Sequence, residues 1–440
     1  MLSAITNGEN MNLISSLSQP LKKINIWQYL GNEKLLDEVF SRIIKKGSLN
    51  IIDAFGKEHK FGDGLSPAVT IRLYDSALHH KISLNPELFI GEAYMDGSLV
   101  IEEGTLKEFF EVLFSNTGTK LPHGWLRFVE MGNYLVRHLQ QFNTVTKASK
   151  NAKHHYDLPS EFYSLFLDAE KQYSCAYFTP ETPTLEQAQK KKMQHIAKKL
   201  LIKPKDRILD VGCGWGGLAC TIAKQTGARV TGITLSVEQL KAAQQRAKRD
   251  GVADIAKFEL LDYRHLEGSF DRIVSVGMFE HVGIDQYAVF FEKMQELLSN
   301  DGVMLLHSIG RAQGPSSTNA WIRKYIFPGG YIPALSEVIP HVENAGLHIT
   351  DIEVLRLHYA RTLREWRLRF TANLKTVRKS YDEKFCRMWE FYLTGAETSF
   401  EHWGNMVFHL QLSKKYSAVP LTRDYLYAKD LQLPYSAPMP

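Results

Sequence analysis

Apolar residues first fall into a helical rhythm at Leu35, Leu36, Val39, Phe40, Ile43 and Ile44, the spacing that lines one face of a helix. Ser48 to Asp53 and Ala68 to Tyr74 then alternate or run apolar, with Gly62-Asp-Gly64 between them. Two strands are predicted there. An amphipathic segment from Leu106 to Phe114 follows the glycine-bounded stretch Gly91 to Gly97. The pattern is that of a small α+β domain over residues 31–115, after a polar, irregular start over residues 1–30. It holds no catalytic constellation, so it reads as a lipid-binding or dimerisation module. Asn116 to Pro122 reads as a linker and Trp125 to Phe142 as a helix, together filling residues 116–150. The basic run Lys147, Lys150, Lys153, His154 and His155 has the composition of a solvated face.

From Glu186 the pattern changes to helices alternating with strands. A helix over 186–201 carries Lys190, Lys191, Lys192, Lys198 and Lys199, and a short apolar strand follows at 207–211. Then come a helix after Gly217, a strand at 229–234, a helix at 237–249, strands at 258–261 and 271–276, a helix at 286–298 and a strand at 303–309. Such an order builds a mostly parallel sheet covered by helices on both faces. The predicted class is therefore α/β, a doubly wound sheet over residues 151–440. Beyond Ile309 the alternation breaks. Residues 311–334, rich in Gly, Pro and aromatics, read as an excursion over the site; Leu363 to Phe400 reads as two long helices and Val407 to Leu412 as an antiparallel edge strand.

Composition narrows this little. The chain has 440 residues, 44% apolar and 23% charged, which suits two or three globular domains. A formal charge of +5 is too mild to point to nucleic acid. Cys175, Cys213, Cys220 and Cys386 are widely spaced, so neither a disulfide framework nor a metal site is expected. No secretory leader is readable, and no apolar run reaches the roughly 18 residues that span a bilayer. The expected location is the cytoplasm, for a soluble protein that can touch a membrane. Arg356, Arg361, Arg364, Arg367 and Arg369, with Trp366 and Phe370, form a basic amphipathic segment. It either holds phosphate headgroups or is a solvated helix face.

Candidate chemistry gathers at Arg207-Ile-Leu-Asp-Val-Gly-Cys-Gly-Trp-Gly-Gly217, a buried strand running into glycines and then a helix. Glycines there permit a tight turn and close approach of a ligand at the carboxyl end of the strand. A nicotinamide site usually places an acid about 20 residues on, to hold ribose. Here that position falls on Thr231-Gly-Ile-Thr-Leu-Ser236, with no acid. Thr234, Ser236 and Gln239 are suited to sugar hydroxyls, and Asp262, Tyr263 and Arg264 to the flanks of an adenine. The Lys-Ser/Thr of a triphosphate loop is also missing. S-adenosylmethionine fits best.

At this point a family resemblance becomes specific. His155-Tyr-Asp-Leu158, Tyr173-Ser-Cys-Ala-Tyr177, Leu209 to Gly217, Asp262-Tyr-Arg264, Asp271-Arg-Ile-Val-Ser-Val-Gly-Met-Phe-Glu-His-Val-Gly283, Leu306-His-Ser-Ile-Gly310 and Lys324-Tyr-Ile-Phe-Pro-Gly329 resemble, in order, the signatures of the cyclopropane fatty acyl phospholipid synthases and their mycolic acid relatives. The resemblance spans about residues 150–410 and implies a class I S-adenosylmethionine-dependent methyltransferase fold, Rossmann-like, with the N-terminal domain of the phospholipid-acting members. It implies methylene transfer to a cis double bond of an unsaturated phospholipid acyl chain, through a carbocation deprotonated by bound bicarbonate, in a homodimer. The bicarbonate pocket carries over to Cys175, Glu280, His307, Ile309 through its backbone, and Tyr359. Cofactor contacts carry to Tyr173 and Ser174, to Leu209, Asp210, Val211, Gly212, Cys213, Gly214, Trp215, Gly216 and Gly217, to Thr234, Leu235, Ser236, Val237, Glu238 and Gln239, and to Asp262, Tyr263 and Arg264. Each pocket residue also has a plainer role open to it. Glu280 and His281 could cap the following helix, His307 could be a core histidine, and Cys175 an inert buried thiol. A methyltransferase giving branched or hydroxylated methyl fatty acids is the alternative activity. One departure stands out: Ala396 occupies a helix position where many members carry cysteine.

Overall fold

The computed structural model describes residues 32–117 and 158–427. The expectations for residues 1–30, for the helix at 125–142, for the basic run at 147–155 and for most of His155-Tyr-Asp-Leu158 lie outside the described residues.

The first domain begins with helix α1 (Asn32–Ile43), strands β1 (Ser48–Ile52), β2 (Glu58–Gly62) and β3 (Ala68–Leu73), and helices α2 (Leu78–Leu84) and α3 (Pro86–Asp96). Strand β4 (Leu99–Glu103) and helix α4 (Leu106–Thr117) complete it. The sheet order is β2-β1-β3-β4, with β1 and β3 parallel and the outer strands antiparallel. Strands β2 and β4 escape a hydropathy reading because they are edge strands carrying charges: β2 alternates exposed and buried as Glu-His-Lys-Phe-Gly. Asn85 caps α3, its side chain accepting from the Leu88 amide, and Gly97 ends it at φ 81°.

The second domain is built on helix α5 (Leu185–Lys199), strand β5 (Arg207–Val211), helix α6 (Gly217–Thr226), strand β6 (Arg229–Thr234), helix α7 (Val237–Arg249) and strands β7 (Ala256–Leu260) and β8 (Phe270–Val276). Helix α8 (Tyr287–Leu297), strand β9 (Leu298–Arg311), helices α9 (Ala320–Tyr325) and α10 (Leu335–Asn344) and strand β10 (His348–Val354) follow. Helices α11 (His358–Ala372) and α12 (Glu383–His402) and strand β11 (Asn405–Ser413) are the last of its longer elements; short helices lie at Ser160–Ser164, Leu374–Val377 and Asp424–Tyr427. The seven-stranded sheet runs β10-β11-β9-β8-β5-β6-β7. Its five strands from β7 to β9 are parallel, while β11 is antiparallel to β9 and β10 antiparallel to β11. β11 is therefore antiparallel as expected but internal. The edge is β10, whose His-Ile-Thr-Asp-Ile-Glu-Val mixes polar and apolar residues because only part of it is covered.

The first domain packs on the second through α3 and α4. Phe110 meets Phe391 with ring centroids 4.8 Å apart, Tyr94 donates to Glu390 at 2.9 Å, and Lys107 pairs with Glu401 at 2.8 Å. A Cβ on Gly91 would come within 2.5 Å of the Trp321 ring, so this glycine lets α9 seat against α3. Residues of both domains share one apolar cluster.

The basic segment on α11 is largely spent within the fold. Arg364 and Arg367 both bond the carboxylate of fully buried Glu397, at 3.1 and 2.7 Å, and Arg369 bonds Glu186. Trp366 and Phe370 are core residues. Removing a partner leaves a buried charge under-compensated. Arg367→Met is thus expected to destabilise the protein by about 3 kcal/mol, seen in thermal melts, with vesicle affinity unchanged.

Candidate active site

The glycine turn is where β5 hands over to α6. Gly212 sits at φ 85°, and a Cβ there would lie 2.7 Å from the Met278 side chain. Its amide and that of Cys213 both donate to the Ile233 carbonyl at 3.0 Å, which ties the turn to β6. Gly214, also at positive φ, has open space where a side chain would stand, room for a ligand to approach the backbone.

Further segments close a cleft of about 1370 Å³, open mouth included, around this turn. Thr234 donates to Gln239 at 2.8 Å and Ser236 caps α7, accepting from the Gln239 amide at 3.3 Å. Asp262 holds Arg264 at 2.7 Å; burial pushes its carboxyl up, but the hydrogen bonds from Arg264 outweigh this and keep it below the usual range. On the opposite wall, residues 171–174 are fixed from below by the buried Lys192 ammonium, which donates to Gln172 at 2.6 Å and Ser174 at 2.8 Å. Burial lowers Lys192 to about 8 and lifts Asp210 to about 7.

Of the predicted cofactor contacts, Tyr173, Ser174, Asp210, Val211, Gly212, Cys213, Gly214, Trp215, Gly217, Thr234, Leu235, Ser236, Gln239, Asp262, Tyr263 and Arg264 line this cleft. Leu209, Gly216, Val237 and Glu238 do not. Leu209 is buried inside the sheet, Gly216 packs against Ala243 at the start of α6, and Val237 and Glu238 are exposed on the first turn of α7. Lys171, Gln172, Met278, His281, Pro328 and Gly329 also line it. The last four fall inside motifs quoted above for the resemblance, and so were within reach of the sequence.

The predicted pocket residues stand behind the cleft rather than along it. Glu280 follows β8 and reaches back to β9, where its Oε1 accepts from the Ile309 amide at 2.6 Å; it caps no helix. Among the described residues its Oε2 has no hydrogen-bond partner, and burial pushes the carboxyl up to about 7. Cys175, Tyr359 and Ile309 belong to or pack against one apolar cluster with Trp366, Phe327, Tyr392 and Phe400. Burial holds the Cys175 thiol far above its ordinary pKa, so it stays protonated. Tyr173 joins the two regions: it lines the cleft, its ring lies 5.1 Å from Trp366, and its hydroxyl is 3.0 Å from that of Tyr392. Tyr359 meets the same Trp366 ring edge-on at 5.8 Å. His307 lies inside β9, two residues before Ile309, and its Nδ1 is 2.7 Å from Nε2 of His409. Burial and the nearby Lys192 and Lys199 keep its ring neutral.

This arrangement has known counterparts. The model of the mycolic acid cyclopropane synthetase family matches residues 143–410. A domain of unknown function matches residues 35–123. The chain belongs to the mycolic acid cyclopropane synthetase family. It is 36% identical over 389 residues to a probable fatty acid methyltransferase of Pseudomonas putida, covering 84% of this chain and 94% of that one. It is 37% identical over 339 residues to the cyclopropane-fatty-acyl-phospholipid synthase of Escherichia coli K12, covering 77% and 86%. Among solved structures, the mycolic acid cyclopropane synthase CmaA1 complexed with SAH and CTAB aligns with a TM-score of 0.58 at 32% identity, covering 62% of this chain and 99% of that one. The fold is that of the class I S-adenosylmethionine-dependent methyltransferases, and the chain is an enzyme of that kind. Ala396, the position of the family's frequent cysteine, sits beside Gly395, where the Phe110 ring of the first domain packs closely.

Proposed function

We propose that the enzyme transfers a methylene from S-adenosylmethionine to a cis double bond of phospholipid acyl chains, closing a cyclopropane ring. The observation that carries this is Glu280: a buried carboxyl with one oxygen spent on Ile309 and the other without a hydrogen-bond partner among the described residues, set behind the cleft near an aromatic cluster. An alkene is a weak nucleophile, so donor and double bond must be held in line at close range. The glycine turn supports the donor side, and Tyr173 spans to the acyl side. The ring faces of Tyr173, Trp366 and Tyr359 stabilise positive charge without capturing it.

A base must then remove one proton. The residues present fit bicarbonate: Glu280, raised to about 7 by burial, holds its proton to a higher pH than an ordinary carboxyl and has a buried oxygen without a hydrogen-bond partner among the described residues, while Cys175 and His307 are uncharged. Glu280, His307, Cys175 and Tyr359 would hold it, and bicarbonate would supply the proton acceptor. The Ile309 amide acts through Glu280, to which it is already bonded. A second reading is methyl-branched product formation, favoured by the name of the Pseudomonas putida relative. No described helix is long and apolar enough to cross a membrane. In our proposal the enzyme is a homodimer docked peripherally on the membrane, and acyl chains reach the site from its surface.

Incubation with S-adenosylmethionine and monounsaturated phospholipid vesicles is expected to add one methylene to the acyl chains by mass. No mass change, with cofactor binding shown by calorimetry, would rule out both readings.

A further inference from the structure

His307 is one end of a row that crosses three strands. In the sheet register His307 of β9 pairs with His409 of β11, and His409 pairs with Glu353 of β10. Side chains of directly paired residues share a sheet face, and here they meet. His307 Nδ1 lies 2.7 Å from His409 Nε2, and His409 Nδ1, which makes no hydrogen bond to any described residue, lies 3.8 Å from Glu353 Oε2, close enough for the carboxylate's charge to act on it. Both imidazoles are buried. Helix α5 covers the row, with His195 Nε2 at 2.7 Å and Lys199 Nζ at 2.6 Å from the same Glu353 oxygen. Lys199 also pairs with Asp351, which bonds Arg423, and the Tyr177 hydroxyl donates to Glu353 at 3.4 Å. Ligand atoms of His195, Glu353 and His409 lie within 4.8 Å of one another, as a metal set would. The Lys199 ammonium already supplies the cation at that place.

We propose that Glu353 and His409 are positioning residues that fix the tautomer of His307, with its proton on Nδ1 and Nε2 left bare as an acceptor. Two neutral rings joined by one hydrogen bond have two polarities. In one, His307 Nδ1–H donates to His409 Nε2, and His409 presents Nδ1–H to Glu353. In the other, His409 donates, and its bare Nδ1 lone pair faces the carboxylate. Glu353 is anionic, because His195 and Lys199 outweigh its burial and hold it at about 2. Lone pair against carboxylate is repulsive and N–H against carboxylate attractive, so the first polarity prevails. A carboxylate that orients a histidine through its Nδ1–H is a known device for setting an acceptor nitrogen; here the order passes through a second ring. Among the described residues nothing bonds His307 Nε2, which is then suited to accept from a protonated oxygen at the base site. That use rests on the function proposed above. The tautomer does not.

Nitrogen-15 NMR of histidine-labelled full-length protein, without ligands, tests it. Rings are assigned by single His→Gln changes. His307 and His409 are both expected to carry the proton on Nδ1, and Glu353→Ala should convert His307 partly or wholly to the Nε2–H form. His409→Leu, which keeps the apolar core, should do the same and serves if Glu353→Ala does not fold. The conservative Glu353→Asp should restore the original tautomer in part. His307 protonated on Nε2 in the unaltered protein, or unmoved in a folded Glu353→Ala variant, would overturn the proposal. In turnover, Glu353→Ala is expected to lower kcat about tenfold with unchanged KM for S-adenosylmethionine. The expected tautomer with unchanged kcat would leave the row intact and remove His307 from the reaction.

Discussion

Glu280→Gln is expected to lower turnover at least about a hundredfold, the usual range for a group in proton-transfer chemistry, while affinity for S-adenosylmethionine stays within about twofold. The two effects separate because Glu280 is absent from the cleft lining and bonds the Ile309 amide behind it. Glutamine can keep that bond through its carbonyl, so the strand should hold its place. What is lost is the group at Oε2, which has no hydrogen-bond partner among the described residues. Stability gives an independent check on the same side chain. Its carboxyl stands at about 7 in the folded protein against 4.5 ordinarily, because burial disfavours the charge. Between those values the folded state holds a proton that the unfolded state has lost, so this group makes stability fall as pH rises through that window. Glutamine does not titrate. The variant should therefore melt higher than the parent at pH 8 and alike at pH 4. Unchanged turnover would remove Glu280 from the mechanism; an unchanged melting difference across that range would remove its raised pKa.

Gly212→Val is expected to weaken S-adenosylmethionine binding by about a hundredfold, measured by calorimetry. Two costs add at this position. A branched side chain at φ 85° is strained by roughly 1–3 kcal/mol, and its Cβ would overlap the Met278 side chain, with 2.7 Å between them. The turn must move, and with it the Gly212 and Cys213 amides now held by the Ile233 carbonyl. Binding retained at parent strength would mean that the cofactor does not depend on this turn.

These two positions also show how the sequence carried the site. Gly212 was legible as a turn because a buried strand ran straight into spaced glycines, and as a cofactor turn only with the missing acid at 231–236 and the family signatures beside it; the parallel core from β5 to β9 follows from the order of strand and helix patterns. Glu280 became legible only by family resemblance, since one acid after a strand has many plain roles. Lys192 was hidden. A helix with five lysines gives no sign that one of them lies beneath the cleft, because that depends on Gln172 and Ser174 folding over it from outside the helix. The pairing of the Arg364 to Arg369 face was hidden for the same reason: Glu397, the carboxylate that bonds both Arg364 and Arg367, lies on another helix. The row from His307 to Glu353 depends on the register of β10 and β11, and β10 was not foreseen at all. Chemistry made by pairing distant strands leaves no local spacing to find.

The central claim is that the methyl group loses a proton after transfer and closes a ring. S-adenosylmethionine with a fully deuterated methyl group, given with monounsaturated phospholipid vesicles, tests it in one measurement. The account predicts an acyl chain carrying two of the three deuterons on a ring carbon, seen by mass spectrometry with deuterium and carbon NMR, and no remaining double bond. A product that keeps all three deuterons on a methyl branch would contradict it.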